Sequence, residues 1–234
     1  MSDDVVYGRQ PVREAVRGRR AVREILVTEK AQAALPWLRD ADAPVRVTGA
    51  DEVGALAGSA DHQGIAAQVE AYRYADPDDL LEHERPLIVV LDGVSDPRNL
   101  GAIARSAECA GATGLVVPRH GSAIVTPAVA KASAGAVEHL PIAVAPNLAT
   151  WLDRAKRPGL WSYAAAADGA TRYTDADYTD GCIFVLGAEG AGVRPRVLDT
   201  CDATVSIPMA GAIDSLNVAV TAGVLLFEAV RQRG

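Results

Sequence analysis

The chain has 234 residues, 49% of them hydrophobic, with 30 Asp and Glu against 23 Lys and Arg. That apolar content suffices for one large domain or two smaller ones and excludes an intrinsically disordered chain. No apolar run reaches the roughly 18 residues that cross a bilayer, and the net charge of −7 argues against a protein that coats nucleic acid without selectivity.

Residues 1–72 read as a small α/β unit. Arg9 to Arg17 has a helical pattern, Glu24 to Thr28 a strand pattern, and Gln32 to Leu38 a helical one. Strands follow at Val45 to Thr48 and Ile65 to Ala71. The opening Met1-Ser2-Asp3-Asp4 has no basic or apolar segment of a secretory leader, so a cytoplasmic protein is expected. Residues 73–86 turn polar, with Asp76-Pro77-Asp78-Asp79 and a charged stretch up to Pro86, and read as a linker.

From Leu87 to the end at 234 the pattern changes. Leu87 to Leu91 is a continuous apolar run, as a parallel strand buried on both faces requires. Similar runs lie at Leu115–Val117, Pro141–Ala145, Trp161–Ala166, Ile183–Leu186 and Val205–Ile207, with helical patterns between most of them. This alternation predicts a parallel sheet with helices on both faces. A long apolar helix is expected from about Ser215 to Arg231. The cysteines, Cys109, Cys182 and Cys201, lie far apart with no CxxC pair, so neither a metal site nor a disulfide framework is indicated, and they read as buried free thiols.

Three segments carry polar residues that plain loops do not need. In the first, Asp92-Gly93-Val94-Ser95-Asp96-Pro97-Arg98-Asn99 leaves the end of a buried strand and runs into a helix bearing Arg105. Ligands in open α/β sheets bind at such strand ends. Asn99 can equally serve as a helix cap, and Arg105 as one half of a structural ion pair. In the second, Gly187, Gly190 and Gly192 crowd around Glu189 after a strand. They permit a sharp turn and close backbone approach to a ligand. The lysine and hydroxyl residue of a P-loop and the order of a dinucleotide fingerprint are both missing. In the third, Ile207-Pro208-Met209 leads through Gly211 to Ser215-Leu216-Asn217-Val218. Ser215 suits a helix N-cap, and Asn217 is an amide in the first turn of an apolar helix, where it needs partners.

In order and spacing, these segments resemble the three motifs of the SpoU/TrmH family of RNA ribose 2′-O-methyltransferases, part of the knotted SPOUT superfamily. Tyr7-Gly8, His62-Gln63-Gly64-Ile65, Lys131 to Glu138 (KASAGAVE) and the tail Leu226 to Arg233 are similar to the branch that methylates guanosine in 23S rRNA. The resemblance covers nearly the whole chain. It implies a SPOUT domain over 87–234 with a trefoil knot, preceded by a ribosomal-protein-like RNA-binding domain over 1–72. It further implies S-adenosyl-L-methionine as cofactor, RNA as substrate and a homodimer. Asn99, Arg105, Glu189, Ser215 and Asn217 match the family's polar active-site positions. Gly187, Ile207 and Leu216 match its cofactor contacts, with Met209 close by.

None of His62, His83, His120 and His139 falls in a motif, so a histidine base is not expected. The resemblance makes Arg105 the catalytic residue, yet a guanidinium is a poor base. It is read as a cation that stabilises the developing alkoxide and holds an RNA phosphate, with phosphate-assisted proton abstraction as the alternative. Glu189 is expected to orient Asn217, Ser215 or the RNA, and Asn99 to position the ribose or one end of the cofactor. Arg9, Arg13 and Arg17 recur every four residues and share one helix face, either a solvated face or a phosphate contact. The rival readings are the same chemistry on a tRNA guanosine or another rRNA nucleotide, and a non-catalytic RNA-binding assembly factor.

Overall fold

Short runs rich in Val, Ile and Ala build the first sheet. In the computed structural model, which describes residues 3–234, its strands are β1 (Asp4–Tyr7), β2 (Val22–Val27), β3 (Val45–Val47) and β4 (Ile65–Val69). Their order is β1-β4-β2-β3, with β4 antiparallel to β1 and β2, and β2 parallel to β3. Helix α1 (Arg9–Arg17) buries Pro11, Val12 and Ala15 and leaves Arg9, Arg13 and Arg17 exposed. The helix expected over 32–38 is two pieces. Thr28 caps α2 (Glu29–Ala34) by accepting from the Ala31 amide at 3.3 Å, and Pro36 then starts a separate 3-10 turn, Pro36–Asp40. Strand β1 and helix α3 (Ala50–Ala57) escape the sequence patterns. Helix α3 buries only Val53 and Ala57, too narrow a stripe to register.

The chain then enters β5 (Leu87–Asp92), α4 (Pro97–Cys109) and β6 (Gly114–Pro118). It does not stay in one unit. The fold divides into the chain up to Arg73 together with Ile124–His139, and Tyr74–Ala123 together with Leu140–Gly234. The KASAGAVE stretch, expected within the domain 87–234, therefore packs in the first unit. Helix α5 (Pro127–Ala132) ends in two successive left-handed residues, Ala134 (φ 51°) and Gly135 (φ 89°), and the Gly135 amide donates back to the Ala130 carbonyl at 2.9 Å. A Cβ on Gly135 would lie 2.6 Å from the Glu14 Cβ, so glycine is required where the segment presses on α1. The fully buried Glu138 carboxylate then meets Arg20, whose Nε donates to it at 2.9 Å. Arg20 also pairs with Asp4 at 3.2 Å and lies over the Tyr72 ring.

The remaining elements are β7 (Ile142–Ala145), α6 (Leu148–Ala155), β8 (Leu160–Ala165), β9 (Thr171–Arg172), β10 (Gly181–Gly187), α7 (Pro195–Leu198), β11 (Ala203–Ser206) and α8 (Val218–Arg233). They complete a seven-stranded sheet, β7-β6-β5-β10-β8-β11-β9, parallel throughout. Every residue of β5 is buried, as its unbroken apolar run requires. The polar stretch 73–86 departs from a free linker. It contains a 3-10 turn, Asp79–Glu82, that drives Leu80 into the core beside Ile88, Val116 and Trp151. Asp78 accepts from the Trp151 indole at 3.0 Å. One leucine among many charges decides its course, because burying that side chain outweighs the freedom of a short polar segment.

All three cysteines are free, but only Cys182 is fully buried, and Cys109 is exposed on the last turn of α4. Burial pushes the Cys182 thiol up to about 12. Among the described residues no group of His, Cys, Asp and Glu could hold a metal ion, and no helix is long and apolar enough to cross a membrane.

Candidate active site

Strands β5 and β10 run side by side, pairing Asp92 with Gly187 at their carboxyl ends. The three motif segments leave the sheet on that side. After β5, Asp96 rather than Asn99 caps α4, accepting from the Arg98 amide at 2.8 Å, and Pro97 fills the first helical position. Asn99 is thereby released from capping and lies in the first turn.

After β10 the chain folds sharply back on itself. Ala188 and Gly192 exchange backbone hydrogen bonds of 2.8 and 3.2 Å, and Gly190 and Gly192 are left-handed. Gly187 leaves no room for a side chain, since a Cβ there would fall 1.9 Å from the Gly192 carbonyl carbon. The foot of this loop is pinned by an ion pair absent from the sequence reading. Asp92, with no side-chain exposure, accepts from the Arg194 backbone amide at 2.8 Å and from its Nε at 2.7 Å. The bond to Asp92 raises the Arg194 pKa. The signal was a lone carboxylate ending an otherwise apolar strand, which demands a buried partner.

At the third segment the structure corrects the expected cap. Helix α8 begins at Val218, and Asn217, not Ser215, is its N-cap, accepting from the Ala219 amide at 2.9 Å. That commitment fixes the amide. With Oδ1 turned to the helix, Nδ2 points away from it and donates to Glu189 Oε1 at 2.7 Å and to Asn99 Oδ1 at 3.0 Å. Asn99 in turn donates its own Nδ2 to Glu189 Oε1 at 3.1 Å. Three residues far apart in sequence form a closed triangle in which each amide's orientation follows from the helix cap. One carboxylate oxygen takes two donors, and Oε2 is left over.

The other two polar positions stand apart from this triangle. Ser215 donates only to its neighbour Asp214, at 3.2 Å. Arg105 is exposed on α4, six residues beyond Asn99, and pairs with no carboxylate among the described residues. One turn on, the Cys109 thiol is pushed up by burial and by Glu108, and the Arg105 guanidinium pulls it down.

Beside the triangle opens a cavity of about 680 Å³, within the size range of small-molecule sites. Gly187, Ile207, Met209 and Leu216 all line it, as do Glu189, Ser215 and Asn217, whereas Asn99 and Arg105 do not. Asp214 and the Ala165–Ala167 stretch at the end of β8 line it as well, and neither was singled out from the sequence. Its lining joins the backbone of the glycine loop to the apolar side chains of Leu186, Val205 and Leu225.

Two family models match the chain. The model of the SpoU rRNA methylase family matches residues 86–227, and the model of the RNA 2′-O ribose methyltransferase substrate-binding domain matches residues 5–75. A Staphylococcus aureus protein assigned to the TrmH family of tRNA/rRNA methyltransferases is 36% identical, over 100% of this chain and 98% of its own length. Among solved structures, the SpoU methyltransferase AviRb from Streptomyces viridochromogenes, in complex with AdoMet, aligns with a TM-score of 0.83 at 31% identity, covering 99% of this chain and 91% of that one. An AdoMet-bound rRNA methyltransferase from Sinorhizobium meliloti aligns with a TM-score of 0.81 at 26% identity, covering 98% and 87%.

Proposed function

This chain belongs to the SpoU rRNA methylase family of S-adenosylmethionine-dependent RNA 2′-O-methyltransferases, and we propose that it methylates the ribose of a guanosine in 23S rRNA. The observation that carries the site assignment is the Asn99–Glu189–Asn217 triangle beside a cavity lined by Gly187, Ile207, Met209 and Leu216.

The residues fit the cofactor: the cavity is large enough, and its glycine wall admits close approach of backbone to ligand. Bound there, S-adenosylmethionine supplies a methyl group on a sulfonium, already reactive toward an oxygen nucleophile. The protein must then place the ribose hydroxyl in line and ease the loss of its proton. Asn99, held by Glu189 and Asn217, presents a fixed amide toward the ribose. Arg105, exposed and without a carboxylate partner among the described residues, is free to meet an RNA phosphate and to stabilise negative charge on the attacking oxygen. Ser215 adds a hydroxyl at the cavity wall.

In the first unit, Arg9 and Arg13 stand exposed on one face of α1 and offer contacts to the RNA backbone. The resemblance at Tyr7-Gly8, His62 to Ile65 and the tail supports the 23S guanosine over the tRNA alternative. The free Arg105 and the assembled triangle support an enzyme over a non-catalytic RNA binder. The family's trefoil knot is expected where the second and third segments meet. A homodimer finds support in Val220 and Phe227, which α8 exposes at 51% and 50%. A substrate in ribosomal RNA supports a cytoplasmic protein.

The test is a map of ribose methylation in rRNA and tRNA from cells lacking this gene, complemented by the wild type or by Arg105→Ala. Loss of one 23S guanosine mark, restored only by the wild type, is expected. A missing tRNA mark would move the substrate, and full complementation by Arg105→Ala would remove Arg105 from the mechanism.

A further inference from the structure

The cavity has a one-sided electrostatic character. Among its described lining residues none is Lys, Arg or His, and the charged side chains are two carboxylates, Glu189 and Asp214. Glu189 is already committed to the Asn99 and Asn217 amides. Asp214 is not. Among the described residues its one hydrogen bond is from the adjacent Ser215 hydroxyl at 3.2 Å, and it sits on an exposed strap before α8. It does not cap that helix, because Asn217 does. Nothing in the packing of the unit calls for an acid at this position, while the cavity gives it an open side.

Resting on the assignment of this cavity to S-adenosylmethionine, we propose that Asp214 is the residue that distinguishes cofactor from spent product, by charge. S-adenosylmethionine carries a sulfonium and an ammonium against a single carboxylate, one net positive charge at neutral pH. S-adenosylhomocysteine, the thioether left once the methyl has gone, is neutral overall. A cavity walled by carboxylates without a balancing cation attracts the first and is indifferent to the second. Losing the sulfonium removes one of the two positive charges that a carboxylate in the cavity wall can attract, so Asp214 favours loading of fresh cofactor and release of product. An apolar cavity of the same shape would favour the neutral thioether, because burying the sulfonium there costs its hydration.

The test is calorimetric titration of the full chain with S-adenosylmethionine, S-adenosylhomocysteine and sinefungin, an analogue with an amine in place of the sulfonium. In Asp214→Asn the preference for S-adenosylmethionine over S-adenosylhomocysteine should fall about tenfold, as expected for loss of one partly screened charge contact. Sinefungin should follow S-adenosylmethionine, and Asp214→Glu should restore most of the preference. Added salt should narrow the wild-type preference more than that of Asp214→Asn, in which Glu189 is the remaining carboxylate. Equal weakening of all three ligands would mean that Asp214 acts through shape and would overturn the proposal, as would an unchanged ratio. Failure of the wild-type chain to bind S-adenosylmethionine would instead overturn the cofactor assignment itself, and this proposal with it.

Discussion

At Glu189 a single carboxylate oxygen accepts from two asparagine amides while the residue stays exposed. An orienting group and a proton acceptor respond differently to removal of charge. Glutamine keeps one carbonyl oxygen that can take the same two donors, so Glu189→Gln should lower turnover about tenfold, the cost of weakening charge-assisted bonds to neutral ones. Complete loss of methyl transfer at saturating cofactor would mean that Glu189 takes the proton. The polar residues of this site were legible singly, as residue types that loops do not need. Their roles at the helix ends were not. Asp96 and Asn217 hold the caps that the sequence offered to Asn99 and Ser215, because a cap depends on where the chain turns, and several residues near each start were competent.

The helix ends connect elements to chemistry. Asn217 does two things with one amide: its oxygen caps α8 and its nitrogen reaches Glu189 and Asn99. These functions separate by substitution. Asn217→Ala should cost about 1 kcal/mol of stability from the lost cap. Asn217→Ser keeps a capping oxygen without the second donor, so it should recover most of that stability in urea unfolding and still be deficient in methyl transfer. Recovery of both together would make the triangle a by-product of capping. A second element-level test concerns the returning segment Ile124–His139. Arg20→Ala leaves the Glu138 carboxylate buried without its cation and should destabilise the chain by about 3 kcal/mol or more. Arg20→Met combined with Glu138→Leu removes both charges and should be far closer to wild type. A double variant as unstable as the single one would show that the pair contributes more than mutual neutralisation.

Over the whole molecule, the C-terminal helix does more than cover the sheet. Its tail clasps the stretch before β10: Gln232 accepts from the Tyr178 amide at 2.8 Å and donates to the Ala176 carbonyl at 3.1 Å, and Arg233 donates to the Tyr178 carbonyl at 3.0 Å. Glu228 organises this tail. Bonds from Arg231, then Gln232, hold its carboxyl at about 2, below the ordinary 4.5. A lowered folded-state value contributes stability above the unfolded pKa, and that contribution disappears as pH falls through the interval from 4.5 to about 2. Glu228→Gln should therefore be less stable than wild type at pH 6, and the gap should close towards pH 2.5 in urea unfolding followed by fluorescence. A constant gap would place the effect in packing. The same helix exposes Val220 and Phe227. If they bury against a second copy, Phe227→Asp should shift the protein to monomer in sedimentation velocity, whereas an unchanged sedimentation coefficient would rule that face out as the dimer contact.

By itself, the sequence determined the alternation of strands and helices, the three polar segments and their order. Each is written in local pattern: unbroken apolar runs for doubly buried strands, glycines where a side chain would collide, and polar types in otherwise apolar company. Only the tertiary structure decided which residues meet. The strand order β7-β6-β5-β10-β8-β11-β9 puts chain-distant β5 and β10 side by side, and that adjacency brings Asn99, Glu189 and Asn217 within 2.7 to 3.1 Å of one another. The Asp92–Arg194 pair, the descent of Leu80 into the core and the return of Ile124–His139 to the first unit were decided at the same level. Each is a long-range burial, in which a buried charge or apolar side chain finds a partner that no local pattern names.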